Sequence, residues 1–259
     1  MRHSVRYTIL FATALCAVCS ILVSATAVAL RERQQENKLL DQRRNVLRAV
    51  GLLAVGERLP REEIERRFSE NFEVRAVHLE SGRYADEVDP RVYDQRRARS
   101  DPQSSRAAPE NPAKVRRLPD VALVYLQTRD ARVEAIVLPV EGMGLWSTLY
   151  GYLALSGDAR TIRGIAFYEH GETPGLGGEV DNPRWRARWP GRLAFDESWE
   201  PRIAVAKGRV GPPEQDPYRV DGLSGSTLTS NGVTNLVQFW LGDHGFGSYL
   251  ERYRREGEI

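Results

Sequence analysis

VALVYLQTRDARVEAIVLPVEGMGLWSTLYGYLALSGDARTIRGIAFY, from Val121 to Tyr168, decides the fold. Four runs stand out in it, Val121 to Gln127, Val133 to Pro139, Thr148 to Ser156 and Ile162 to Tyr168, each dense in β-branched, aromatic and aliphatic residues. Thr128-Arg129-Asp130, a Gly142-Met143-Gly144 turn and Ser156-Gly157-Asp158 separate them. Short runs punctuated in this way read as strands, and consecutive strands on short connections favour an antiparallel sheet. Upstream, Phe72 to Leu79 reads as another strand ending at the Ser81-Gly82 turn, preceded by a short helix from Arg61 to Phe68 with Pro60 at its start. Downstream, Asn182-Pro183-Arg184-Trp185 suggests a short helix, Ile203 to Ala206 a strand, and two helices finish the chain. The mixture is α+β.

The N-terminal end follows a different rule. Tyr7 to Leu30 carries no charge and is mostly Ala, Val, Leu, Ile and Phe. As a helix it rises about 36 Å, enough to cross a hydrocarbon core of roughly 30 Å with some tilt. An uncleaved single-pass anchor is expected; Ala25-Thr26-Ala27 and Ala27-Val28-Ala29 leave a cleaved signal peptide as the alternative. Arg2 and Arg6 precede the span and Arg31, Arg33 and Lys38 follow it, so the positive-inside rule does not orient it. An exported C-terminal portion is the more ordinary arrangement for so short a leading segment. Cys16 and Cys19, the only cysteines, lie inside the span and read as small apolar helix residues rather than a redox or zinc motif. No metal site is expected.

Beyond the span, Leu39, Leu40, Val46, Leu47, Val50 and Leu53 keep helical spacing, which predicts a helix over 32–53 with one face on the domain. Arg91 to Arg117 sets eight basic residues against three acidic ones, about +5, with three prolines, and reads as a solvated flexible insertion or, alternatively, a docking patch. The expected division is an anchor over 1–31, a helical linker and small α/β part over 32–90, the basic insertion over 91–117 and the main domain over 118–259. Across the chain, 37 basic residues nearly balance 35 acidic ones, which gives no global field for nucleic acid.

DGLSGSTLTSNGV, Asp221 to Val233, is the richest candidate site. A serine-hydrolase elbow fails because Ser226 stands where G-x-S-x-G needs its last glycine, and nothing ties a histidine to Ser224. Gly175-Leu176-Gly177-Gly178 lacks the dinucleotide spacing, and no P-loop is present. Val233, Leu236, Val237, Trp240 and Leu241 form one apolar helical face, which puts Ser224 to Thr229 at a helix N-terminus. Free amides and the helix dipole there favour a phosphate, and Gly225 permits close approach. A capped helix without a ligand fits the same residues.

Asp221-Gly222-Leu223-Ser224-Gly225-Ser226-Thr227 resembles the flavinylation motif D-G-x-S-G-A-T of membrane flavoproteins, with Ser226 in place of the usual alanine. Gly144-Leu145-Trp146-Ser147-Thr148-Leu149-Tyr150-Gly151 and the stretch from Glu172 to Trp185 are similar to those of the C subunit of the sodium-translocating NADH:ubiquinone reductase. With the anchor and Phe239-Trp240-Leu241-Gly242-Asp243, the resemblance covers most of Tyr7 to Gly247; the basic insertion is unmatched. It implies FMN joined through a phosphoester to Thr227 in a periplasmic domain anchored to the bacterial inner membrane. The cofactor would pass electrons between the other subunits of a membrane NADH:quinone reductase complex coupled to sodium export. No catalytic residue separate from the flavin is implied, and attachment implies a flavin transferase that uses FAD and magnesium. In that setting Trp146 and Leu176 offer flat apolar surface to the isoalloxazine, and a Pro174-Gly175 turn offers backbone amides. Glu172 and Thr173 can supply hydrogen bonds, and Lys207 balances phosphate charge. The alternatives are the flavoprotein subunit of the related ferredoxin:NAD reductase complex and an anchored assembly domain without flavin.

Overall fold

The computed structural model describes residues 5–54, 56–130 and 132–257, leaving out the side chain of Glu32; Arg2 of the flanking charges lies outside these residues. The first element, α1 (Val5–Ala49), is one unbroken 45-residue helix. The sequence reading placed a span and a helix leaving it here. They fuse because neither Gly nor Pro occurs between Val5 and Ala49, and the helix ends just before Gly51, at φ +80°. The chain divides into two units at Gln42 and Arg43. In the first, Val5–Arg31 is long and apolar enough to cross a membrane, and its side chains are exposed.

The second unit is built on a five-stranded sheet. After α2 (Arg61–Asn71) come β1 (Phe72–His78), α3 (Gln95–Ser100), β2 (Ser105–Ala107), β3 (Arg117–Pro119), β4 (Val121–Arg129), β5 (Arg132–Met143), β6 (Thr148–Ser156) and β7 (Ile162–Glu169). The sheet order is β1-β4-β5-β6-β7, antiparallel throughout, with Val74 opposite Tyr125, Tyr125 opposite Val137 and Leu153 opposite Ile165. β1 therefore joins the main sheet rather than a separate small part. β5 extends past the expected turn because Gly142 and Met143 still pair with Leu149 and Thr148; the reversal falls at Gly144, whose amide donates to the Ser147 carbonyl at 2.8 Å.

The segment from Arg91 to Arg117 departs from the expectation of a solvated flexible insertion. The Asp94 carboxylate caps α3 by accepting from the Arg96 and Arg97 amides. Arg96 grips Glu169 with both terminal nitrogens and Arg99 pairs with Glu141, so two of the charges that suggested solvent meet carboxylates of the sheet. β2 pairs with β3, and Ala113 and Val115 enter the core.

The remaining elements are a 3₁₀ turn over Gly177–Asp181, α4 (Pro183–Arg186), the two-residue parallel pair β8 (Ala204–Val205) and β9 (Arg219–Val220), α5 (Thr227–Leu241) and α6 (Gly247–Glu256). α5 buries Val233, Leu236, Val237, Trp240 and Leu241, the face its spacing predicted. It lies against β5 at glycine contacts: a Cβ on Gly232 would fall 2.5 Å from the Met143 carbonyl oxygen, and one on Gly142 2.5 Å from the Leu236 Cβ. This crossing brings the start of α5 to the β5–β6 turn.

Candidate functional site

Glu172 is the residue around which the site assembles. It is buried, 5% exposed, and both carboxylate oxygens are engaged. Oε1 accepts from the Leu145 and Trp146 amides at 3.0 Å each, and Oε2 accepts from the Thr229 hydroxyl at 2.5 Å. One carboxylate thus fastens the β5–β6 turn and the first turn of α5 to its own loop. A Cβ on Gly177 would stand 2.6 Å from both Glu172 Oε2 and Thr229 Oγ1, and one on Gly144 2.6 Å from Oε1, so glycines are required on both sides of the clamp. Burial pushes the carboxyl upward, but hydrogen bonds from Thr229 and from the Trp146, Leu145 and Ser147 amides outweigh it and hold the group below its ordinary value. Both Glu172 oxygens thus accept from protein donors, a clamp that the sequence reading did not assign to it.

Above this clamp lies a group of exposed apolar side chains. Trp146 is 66% exposed, Leu176 44% and Leu228 61%, so none of the three belongs to the core. Leu176 reaches Gly225, where a Cβ would come within 3.1 Å of Leu176 Cδ2; Gly225 is at φ +71°, a conformation that side-chain-bearing residues rarely adopt. Thr227 opens α5 and is exposed, whereas Ser226 before it is buried and makes no side-chain cap hydrogen bond. Thr227 therefore offers a hydroxyl beside first-turn amides that no cap side chain covers. Thr173 is exposed, and its carbonyl closes the Pro174-Gly175 turn by accepting from the Leu176 and Gly178 amides.

The other expected residues stand around a neighbouring cleft of about 500 Å³ lined by Arg184, Arg188, Lys207, Arg209, Asp221 and Ser224, among others. Asp221 accepts from the Val210 amide at 2.9 Å and faces Arg188 at 3.6 Å, while its carbonyl accepts from the Trp185 indole at 2.7 Å. Asp221 and Trp185 thus brace the loop that carries Ser224. The structure unites Trp146, Glu172, Leu176, Gly225, Ser226 and Thr227, and sets Lys207, Asp221 and Ser224 on the cleft beside them. Sequence reasoning did not give Leu228 a role or pair Thr229 with Glu172. An apolar residue directly after a polar motif is the one signal that pointed to Leu228.

An exposed hydroxyl at a helix start, near exposed apolar side chains and a cleft rich in cations, suits the class of proteins that hold a phosphate-bearing aromatic cofactor, and residues 144–242 match the model of the FMN-binding domain. The chain is 44% identical over 259 residues to the C subunit of the Na(+)-translocating NADH-quinone reductase of Yersinia pestis, spanning 99% of this chain and 95% of that protein. It is likewise 44% identical to the same subunit of Pseudomonas aeruginosa, over 98% of each chain. The crystal structure of Shewanella oneidensis NqrC superposes with a TM-score of 0.75 at 31% identity, covering 85% of this chain and 98% of that one. The chain belongs to the family of C subunits of the Na(+)-translocating NADH-quinone reductase.

Proposed function

We propose that this chain is the membrane-anchored FMN-carrying subunit of a sodium-translocating NADH:quinone reductase, with the flavin phosphate esterified to Thr227 and the sheet domain on the periplasmic side of the bacterial inner membrane. The observation that carries the reading is the contrast between two hydroxyls within one helical turn. Thr227 is exposed, as is Leu228 after it, while Thr229 is fully buried and committed to Glu172, the carboxylate that also holds the Trp146 amide.

The residues present fit the group. Trp146, Leu176 and Leu228 give apolar surface to a ring system, and the start of α5 receives a phosphate. Gly225 leaves room for backbone to approach it. When bound, FMN supplies the electron-carrying chemistry. The protein holds, orients and partly desolvates it, and the Glu172 clamp keeps the Trp146 turn in register with α5. Thr227 would hold the flavin through its hydroxyl oxygen, which would take the FMN phosphoryl group from FAD with AMP as the leaving group and the hydroxyl proton passing to the transferase. NADH oxidation falls to another subunit.

The test is mass spectrometry of the peptide bearing Thr227 from protein co-expressed with a flavin transferase. The expected result is the mass of one FMN less water on Thr227, with an in-gel fluorescent band that is lost in Thr227→Ala. An unmodified peptide from wild-type protein made under those conditions overturns the reading.

A further inference from the structure

The cleft beside the attachment loop carries more positive charge than one flavin phosphoester can neutralise. Arg184, Arg188, Lys207 and Arg209 face a single lining carboxylate, Asp221, which leaves four minus one, or +3. Asp221 lies nearest Arg188, at 3.6 Å, and among the described residues Arg184, Lys207 and Arg209 have no acidic partner. A phosphodiester brings one negative charge, so the cleft retains about two unmatched cations after attachment. At about 500 Å³ it is also several times larger than one phosphate group requires. Its position is fixed by structure, since the Trp185 indole and the Val210 amide both hold Asp221, three residues before Ser224.

We propose that this cleft docks an acidic protein segment of the subunit that exchanges electrons with the flavin, an inference that rests on the reading of Thr227 as the flavin carrier. Guanidinium groups match carboxylates in a planar, two-bonded geometry, which suits a side built largely from arginine to an Asp- or Glu-bearing loop. Because Ser224 lines the cleft and Thr227 follows it by three residues, a partner seated there is carried up to the cofactor. Docking by surface charge of this kind fixes orientation and speeds encounter, and it weakens as salt rises.

The experiment uses the full chain in its membrane complex, purified through a tag on another subunit. Carbodiimide joins a carboxylate to a lysine amine with loss of water, so it is expected to couple Lys207 to an Asp or Glu of a second subunit, identified by peptide mass spectrometry and absent in Lys207→Arg. The Arg184→Glu/Arg209→Glu double variant is expected to keep its covalent flavin fluorescence and to leave the complex at lower salt, with affinity down roughly tenfold or more. The proposal is overturned if Lys207 couples only within its own chain or to nothing. It is equally overturned if the double variant is retained through the same salt range as wild type. Loss of flavin incorporation with unchanged retention also overturns it and assigns the cleft to the flavin phosphate alone. A wild-type chain that lacks covalent flavin yet couples through Lys207 refutes the flavin reading and leaves the docking surface standing.

Discussion

Thr227 and Thr229 share a helical turn and a chemical group, and differ in what surrounds them. Thr229 serves Glu172, so removing its hydroxyl while keeping its shape leaves a buried carboxylate oxygen without its donor. Thr229→Val is expected to destabilise the domain by about 1–3 kcal/mol in urea unfolding, while the band of the flavin-loaded protein stays fluorescent. Loss of fluorescence there would mean that the clamp, not Thr227 alone, determines attachment. Glu172 also predicts a pH dependence. Its folded-state carboxyl is held below the ordinary 4.5, so the stability it contributes is present above that value and is lost as pH falls through the lower folded value. Urea midpoints measured from pH 7 down to pH 3 should fall more steeply in wild type than in Glu172→Gln, which has no proton to gain; parallel curves would refute this role. At this scale the hydroxyl-rich helix start and the aromatic turn were legible in the sequence, because each is local. It did not show the clamp, which joins positions 57 residues apart.

At the scale of elements, the crossing of α5 over β5 reverses an ordinary rule. Alanine in place of a helical glycine usually stabilises by up to about 1 kcal/mol. At Gly232 the added Cβ meets backbone at 2.5 Å and 3.1 Å, so Gly232→Ala is expected to cost roughly 1–3 kcal/mol or more and to lower the melting temperature. An unchanged melting temperature would show that the crossing has slack. The strands of the main sheet were legible because β-branched runs and glycine turns are short-range signals. The segment Arg91 to Arg117 was not, because its composition describes charge without showing where the charges go. Arg96 and Arg99 find Glu169 and Glu141 only once β5 and β7 are brought into one sheet. Of the apolar positions read after the span, Val46, Leu47, Val50 and Leu53 are buried in the second unit, whereas Leu39 is exposed. The helix leaving the span continues it without a break, because charge changes abruptly at Arg31 while helix propensity does not.

For the whole molecule, the end of α1 belongs to the folded unit. Val46, Leu47, Val50 and Leu53 are buried in the second unit, so a fragment starting at Arg43 is expected to fold and one starting at Gly56 to be weaker by several kcal/mol, at about 1.5–3 kcal/mol per buried aliphatic side chain. Equal urea midpoints for the two fragments would contradict this. The same long-range construction bears on when the chain matures. Glu172 gathers Trp146 and Thr229 from distant parts of the chain, and neither the cradle nor the capless start of α5 exists in an extended polypeptide. The proposed flavin attachment at Thr227 would then act as an inspection passed after folding: a molecule that has not closed its sheet would stay colourless, and a yellow one would have declared itself native.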